Sequence, residues 1–212
     1  LPKEYRYSCF PLCLLDAIFS IGVTYISTEN TVYRYCDFFD IHPFRENDDF
    51  LPINEQHTTS KLIQNISGYG AEQFAHHIQN RQRTSSKNGI LKAEAVLRCA
   101  KIFQKCGIET LQDFSQKLNA DIEKMYLQVP GQHSGISLAY LKMLCGNEKI
   151  LKPDRHILRF LSKFAGREVN VNEVKKIIDV VVSLLKEKYP HITVRSIDYK
   201  IWEYTKSSNI GK

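Results

Sequence analysis

Apolar residues recur every three or four positions along most of the chain, which is the spacing of α-helices that bury one face. Near the N-terminus, Leu14, Ile18, Ile21 and Tyr25 share one such face, and residues 27–30 are expected to cap the next helix. We therefore predict an all-α fold of about ten helices.

The connections between these patterns are polar. Residues 42–60 carry two prolines and an acidic patch, so they are expected to form a long surface connection, and residues 80–89 form a basic loop. Gly107 suits the left-handed end of a helix. The predicted later helices span residues 61–66, 71–79, 90–106, 111–118, 121–129, 136–145, a segment from Pro153, 171–189 and 195–205.

The chain of 212 residues is 43% apolar, which is enough for one domain or for two small domains that share a cleft. Its net charge of +6 suits a polyanionic partner without requiring one. The six cysteines include no Cys-x-x-Cys pair, so we expect reduced thiols in an intracellular compartment, which would be the cytoplasm, at the nucleoid, if the protein is bacterial. No apolar run approaches the ~18 residues of a membrane span, and no membrane partner is expected.

The segment "VPGQHSG" lies between two predicted helices, and its glycines permit positive φ angles. Unpaired amides at the start of the second helix, helped by Ser134 or Ser137, would suit a phosphate and would not read base sequence. An ordinary helix connection is the alternative interpretation.

Pro153 suits the first position of a helix, so Asp154 is expected in its first turn, on the face of Ile157, Leu158 and Leu161. A carboxylate there that stays ionised could stabilise a developing cation or orient a water. The alternative is a helix-capping Asp whose neighbouring arginines, Arg155 and Arg159, are solvated charges.

Together, "LQVPGQHSGISLA" and "LKPDRHILRF" resemble the helix-hairpin-helix Gly-Pro-Asp (HhH-GPD) superfamily of DNA base-excision glycosylases, which includes endonuclease III. Three further segments, "LLDAIFSIGVTYIS", "NGILKAEAVLRCAKIF" and "SIDYKIWEY", are similar to family helices in the same order. The resemblance implies a single unit over residues 1–212 with two helical lobes around a DNA-binding cleft. The lobes would be residues 25–150, including the hairpin 127–146, and residues 1–24 plus 151–212.

The resemblance also implies a function. The family flips a damaged, modified or mispaired base out of duplex DNA and breaks its N-glycosidic bond, and Asp154 matches the catalytic carboxylate. Carbonyls of Leu127, Val129 and Gln132 match those that hold a monovalent cation in relatives. No other cofactor, and no nucleotide, is expected, and the protein is expected to be a monomer. The residues expected to contact DNA are Gly131, Gln132, His133, Ser134, Gly135 and Ser137 of the hairpin, with Arg81, Arg83, Lys92 and Arg155 as basic candidates.

Four departures from the family pattern matter. Bifunctional members carry a Schiff-base lysine where this chain has residues 134–136, and Lys142 lies too far along the helix, so a monofunctional enzyme is expected. The hairpin is one residue longer between its glycines. Gly22 replaces a glutamine that fills the gap left by a flipped base in some relatives. No counterpart of the four-cysteine segment is present, so no iron–sulfur cluster is expected.

Other interpretations stay open. A non-catalytic DNA-binding protein of the same fold, or a helical protein-interaction domain, would fit the same patterns. The basic loop could simply be solvated. His76, His77 and His133 lack partners at metal-ligand spacing, so surface or phosphate-contacting roles are preferred for them. Tyr25 and Tyr69 could stack on a base, although tyrosines at helical spacing usually belong to a core.

Overall fold

The computed structural model describes residues 3–207, and within that range the chain forms helices and irregular segments but no β-strand. The predicted all-α class is therefore confirmed. The α-helices of the described range are α1 (Phe10–Phe19), α2 (Tyr25–Phe39), α3 (Thr59–Tyr69), α4 (Ala71–His77), α5 (Lys92–Lys105), α6 (Leu111–Lys117), α7 (Ala120–Leu127), α8 (Ile136–Leu144), α9 (Arg155–Ala165), α10 (Val171–Leu185) and α11 (Val194–Ser207).

The chain separates into two compact units, an N-terminal unit that ends at Cys145 and a C-terminal unit that begins at Gly146. All ten residues of α1 are buried, so this helix needs neighbours on every side, and it packs against α2, α5 and α8 of its own unit. The predicted lobe that joined residues 1–24 to residues 151–212 therefore differs from the observed division, because α1 is the centre of the N-terminal unit.

One helical pattern through residues 14–25 proves to be two helices. α1 ends at Phe19, and Gly22 takes a φ of +71° in the turn that follows. α2 then begins at Tyr25 with Thr24 as its N-cap, so residues 27–30 lie inside the helix and do not cap it. Apolar spacing continues across the break because Ile21 and Val23, on either side of Gly22, are apolar and half-buried.

Residues 42–58 are irregular apart from the short 3-10 helix Ile53–Glu55, as a connection should be, but they are not simply a surface segment. Arg45 is buried, and one of its guanidinium nitrogens donates to Tyr7 O at 2.8 Å. Gln56 is buried too, and its amide joins Leu51 O at 2.8 Å to Leu111 N at 3.2 Å. These two side chains fasten the connection to the N-terminal unit.

Local capping sets the limits of the middle helices. Gly107 follows α5 with a φ of +71°, as predicted. Thr110 and Asp113 form a reciprocal capping box at α6, and the Asn119 side chain accepts from two amides at the start of α7. Such caps satisfy helix-end amides that would otherwise lack partners.

The C-terminal unit consists of α9, α10 and α11 packed together. Asn170 and Glu173 form a capping box at α10, and Gly166 ends α9 in the left-handed conformation. The buried core of this unit is aliphatic and comprises Leu151, Ile157, Leu161, Val169, Val174, Ile178, Val182, Val194, Ile197 and Ile201.

Candidate functional site

The turn between α7 and α8 contains both hairpin glycines in backbone conformations that favour glycine. The φ angle is +88° at Gly131 and +73° at Gly135. A Cβ at Gly131 would also lie 2.5 Å from Thr84 Cβ, so the turn sits directly against the basic loop. Gly131 is required both by its backbone conformation and by this close approach.

Two hairpin residues that were expected to contact DNA are internal supports instead. Gln132 and Ser137 are both buried, and the Ser137 hydroxyl donates to the Gln132 side-chain oxygen. Tyr126 OH donates to the same oxygen at 3.4 Å. The prediction for these two side chains was wrong because the turn folds them inward, where they hold α7 and α8 together.

The exposed part of the turn is His133 and Ser134. Within residues 3–207, the amides of Gly131, His133 and Ser134 donate to no acceptor. The Gly135 amide, by contrast, donates to Gln132 O at 3.0 Å. Contrary to the prediction, it is therefore not available to a phosphate. Of Gly131, His133 and Ser134, the last two are exposed, and they also present an imidazole and a hydroxyl.

The carbonyls matched to a cation site are partly engaged. Val129 O accepts from Gln132 N at 2.9 Å, and Gln132 O accepts from Gly135 N. A carbonyl oxygen has two lone pairs, so these bonds do not use up its capacity to bind an ion. The monovalent cation at Leu127, Val129 and Gln132 stays a prediction.

The basic candidates fall into two groups. Arg81, Arg83 and Arg155 are exposed. A guanidinium nitrogen of Arg81 lies 3.2 Å from Glu72 Oε2, and Arg83 donates to Gly89 O at 2.7 Å. Arg155 is the first residue of α9. Lys92 is buried, and its ammonium group donates to Phe19 O and Ile21 O, each at 2.8 Å. The prediction of a DNA contact for Lys92 was wrong because this cation terminates α1 from inside the unit.

Lys142, the lysine of α8, forms an ion pair with Glu123 of α7, with 2.7 Å between Nζ and the carboxylate. Its side chain is only 19% exposed. Because this pair holds the ammonium group on the α7 side, Lys142 is engaged in packing the hairpin helices.

In the C-terminal unit, Asp154 is the N-cap of α9 and precedes its first helical residue. Its Oδ1 accepts from His156 N at 2.8 Å and from Ile157 N at 3.4 Å. Its Oδ2 accepts no hydrogen bond from the described part of the chain. Asp154 is half-buried, so one oxygen stabilises the helix while the other can act on a ligand. The prediction placed Pro153 at the first helical position, so α9 begins two residues later than predicted.

His156 connects the start of α9 to α11. Burial lowers the pKa of His156 below its ordinary value of 6.5, outweighing the opposing effect of the Asp154 carboxylate, and nearby cations lower it further. Its Nδ1 lies 3.2 Å from Thr205 Oγ1, and the Thr205 hydroxyl donates to Trp202 O at 3.0 Å. This arrangement fits a neutral imidazole that donates through Nδ1.

Asp198 of α11 is a second carboxyl close enough to interact with Asp154, and it is absent from the residues predicted from the sequence. It is 7% exposed, and its Oδ1 accepts from Lys152 N at 2.9 Å. Burial, with a smaller contribution from Asp154, raises the pKa of Asp198 to about 7. Its position on the apolar face that also carries Val194 and Ile201 is the signal that could have identified it.

Two further surfaces carry exposed apolar groups. In the N-terminal unit, Phe38 stacks on His77 with 4.7 Å between ring centroids, and Tyr69 lies against both rings. Tyr25, the other predicted stacking residue, is half-buried. In the C-terminal unit, an open apolar groove of about 1050 Å³ is lined by residues that include Phe160, Phe164, Val181, Leu185, Ile192 and Tyr204.

No group of three or more His, Cys, Asp and Glu side chains within residues 3–207 could hold a metal ion. All six cysteines are free thiols. In the same described range, no helix has both the length and the hydropathy needed to cross a membrane.

A family described as a domain of unknown function (DUF8548) matches residues 1–206. The chain belongs to this family. No curated protein and no solved structure matches the sequence. Because the DUF8548 description names no activity or ligand, the function has to be inferred from the side chains at the hairpin turn and around Asp154.

Proposed function

We propose that this member of the DUF8548 family is a monofunctional DNA glycosylase of the HhH-GPD type. The observation that carries the proposal is the divided use of the Asp154 carboxylate, whose Oδ1 fixes the start of α9 while Oδ2 has no hydrogen-bond donor among the described residues. A helix-start carboxylate held in this way is oriented before any ligand arrives, which is the condition for effective electrostatic stabilisation.

The proposed reaction is hydrolysis of the bond between the sugar C1′ and the base nitrogen. As this bond breaks, positive charge develops on the sugar, and the Asp154 carboxylate stabilises it. A water oxygen bonds to C1′ and transfers a proton to Asp154, while the departing base takes a proton from solvent. The products are the free base and an abasic site.

DNA binding is proposed for the exposed face of the hairpin turn. The His133 and Ser134 amides donate to no acceptor in the described range, and the turn lies against the basic loop at Thr84. Amides of this kind contact phosphates and fix register without reading sequence. Gln132 and Ser137 support the turn from inside, and Arg83 and Arg155 are exposed cations that would add phosphate contacts.

The proposed enzyme is expected not to cleave the DNA strand, because no lysine is placed to form a Schiff base. Residues 134–136 include no lysine, and Lys142 of the same helix is paired with Glu123. A Schiff base with the sugar requires an unprotonated amine beside C1′, and an ammonium group held in an ion pair does not supply one. The abasic site should therefore persist after base release.

A non-catalytic DNA-binding protein is the second candidate, and one observation favours it. The hydrogen bonds from Asp154 Oδ1 to the His156 and Ile157 amides would explain an aspartate at this position by helix capping alone. The two candidates make opposite predictions for base release by the wild-type protein.

The deciding experiment incubates the protein with a panel of duplexes that carry modified or mispaired bases, followed by hot alkali. A monofunctional glycosylase gives strand breaks after alkali only. Asp154→Asn removes the negative charge that stabilises the sugar cation, so it should abolish base release. Because asparagine keeps an oxygen that can cap α9, DNA affinity should be unchanged. Breaks without alkali would contradict the lysine argument. If the protein binds DNA tightly but releases no base from any duplex of the panel, the second candidate is supported.

The hairpin is tested separately. Ser134→Asp places a carboxylate in front of the unpaired amides, so it should weaken DNA binding by about tenfold at low salt. Ser115→Asp, on the exposed face of α6, adds the same charge away from the turn and is the matched control. Equal effects of the two variants would show that the hairpin has no special role. Failure of the wild type to bind DNA at low salt would favour a protein-interaction domain.

A further inference from the structure

Asp198 is an unusual residue for the face of α11 on which it lies. That face packs into the aliphatic core of the C-terminal unit through Val194, Ile197 and Ile201. A carboxyl in such a position is costly unless it makes a specific contact. The contact is the backbone amide of Lys152, which donates to Asp198 Oδ1 at 2.9 Å.

A continuous series of hydrogen bonds runs from this carboxyl to the proposed catalytic one. Lys152 N donates to Asp198, and Lys152 O accepts from Asp154 N at 2.7 Å. Asp154 Oδ1 then accepts from His156 N. Pro153, between the two residues, has a restricted φ. Lys152 is therefore held at both ends of its backbone, and the orientation of Asp154 follows from it.

A second tie joins the same two helices. His156 Nδ1 lies 3.2 Å from Thr205 Oγ1, and Thr205 follows Asp198 by seven residues, or two helical turns on one face of α11. The start of α9 thus contacts α11 at two points, one on each side of Ile201. Residues on one helix face can fix a neighbouring turn in both position and rotation.

We propose that Asp198 is a positioning residue for Asp154, which it orients through the Lys152 backbone. This inference rests on the proposed function of Asp154. Asp198 is buried and acts through the peptide groups of residues 152–154.

The charge state of Asp198 matters for this role. Burial is the main cause of its raised pKa, the Asp154 carboxylate raises it further, and Lys152 opposes both. Below neutral pH the carboxyl is therefore uncharged, and it adds no negative charge beside Asp154. An asparagine at this position would keep the acceptor oxygen and would be uncharged at every pH, whereas leucine would keep the volume and lose the acceptor.

The experiment compares wild type, Asp198→Asn and Asp198→Leu in the full chain. Three properties are measured: hydrogen exchange of the Lys152 amide by NMR, the carboxyl ¹³C signal of Asp154, and single-turnover base release against pH. Misplacement of a reacting group can cost about a hundredfold, so Asp198→Leu should lower base release by roughly ten- to a hundredfold without changing DNA affinity. Ionisation of wild-type Asp198 near pH 7 adds a negative charge beside Asp154 and should change the rate of base release there. Asp198→Asn should keep the Lys152 amide protected and abolish this change of rate.

Ile178→Val is the matched control, since it trims the same core from α10, away from Lys152. It should lower stability and leave the Lys152 amide, the Asp154 signal and the rate unchanged. The inference is overturned if Asp198→Leu leaves these three properties unchanged, or if Asp198→Asn loses amide protection or more than about tenfold in rate. Should Asp198→Leu fail to fold, the asparagine variant decides alone. If wild type releases no base, the proposed function fails, and the two NMR measurements still test whether Asp198 orients Asp154.

Discussion

Replacement of Asp198 by asparagine should change how the stability of the C-terminal unit depends on pH. The pKa of this carboxyl rises from 3.8 to about 7 on folding, mainly because burial disfavours the charged form. A raised pKa means that the carboxyl's contribution to stability is fully present below the unfolded-state pKa. It is lost as the pH rises through the folded-state value.

The size of the effect follows from the same shift. Between about pH 5.5 and about pH 8.5 the unfolded side chain is ionised throughout, and the folded one ionises near pH 7. Only the roughly 1.5 pH units between about pH 5.5 and the folded-state pKa of about 7 change the stability of wild type. At about 1.4 kcal/mol per pH unit, the free energy of unfolding of wild type falls by about 2 kcal/mol over this interval. Asp198→Asn has no proton to lose, so its stability relative to wild type should increase by about 2 kcal/mol over the same interval.

Urea unfolding followed by fluorescence suits this measurement, because the single tryptophan, Trp202, lies on α11 in the same unit as Asp198. Wild type and variant are compared at both pH values, so that other titrating groups cancel. Asp179→Asn is the control, since this half-exposed carboxylate of α10 pairs with Lys175 across one helical turn and with no other cation of residues 3–207. A wild-type-to-variant difference that is the same at both pH values within about 0.5 kcal/mol would refute the reasoning.

Two other substitutions test the N-terminal unit by thermal or urea unfolding. Lys92→Met should lower the free energy of unfolding by about 2–4 kcal/mol, because the carbonyls of Phe19 and Ile21 lose their donor. Lys101→Met, at an exposed position, should change it by no more than about 0.5 kcal/mol. Equal effects of the two variants would contradict the buried role of Lys92. Gly131→Ala should cost about 1–3 kcal/mol through its φ of +88° and its collision with Thr84. Gly68→Ala, in the last turn of α3 where no atom lies within 4 Å of the added Cβ, should instead stabilise by up to about 1 kcal/mol, and a Gly131 effect of the same sign would disprove the strain.

Helix positions were largely predictable from the sequence, and the reasons are local. α5 has one apolar stripe and a glycine two residues beyond its last helical residue, so both signals are local in the sequence. The break at Gly22 was not predictable from spacing, because the residues on either side of the turn are still apolar. Periodicity shows which residues are buried, but not that the chain turns between them.

Side-chain roles at the candidate site were less predictable, because they depend on contacts distant in sequence. Lys92 looks like a solvent-exposed cation until the carbonyls at the end of α1, more than seventy residues earlier, are placed beside it. Asp198 and Lys152 are similarly separated by 46 residues. Asp154 could be selected from the sequence because a proline and a helix start mark its position, and these are local signals.

The close approach of Thr84 to Gly131 has a consequence for the evolution of the DUF8548 family. The methyl-bearing carbon of Thr84 occupies the space that any side chain at position 131 would need. The loop and the hairpin therefore share one small volume, and a larger residue on either side would have to be matched by a change on the other. In an alignment of family members, the columns of these two residues should covary, although they are 47 positions apart.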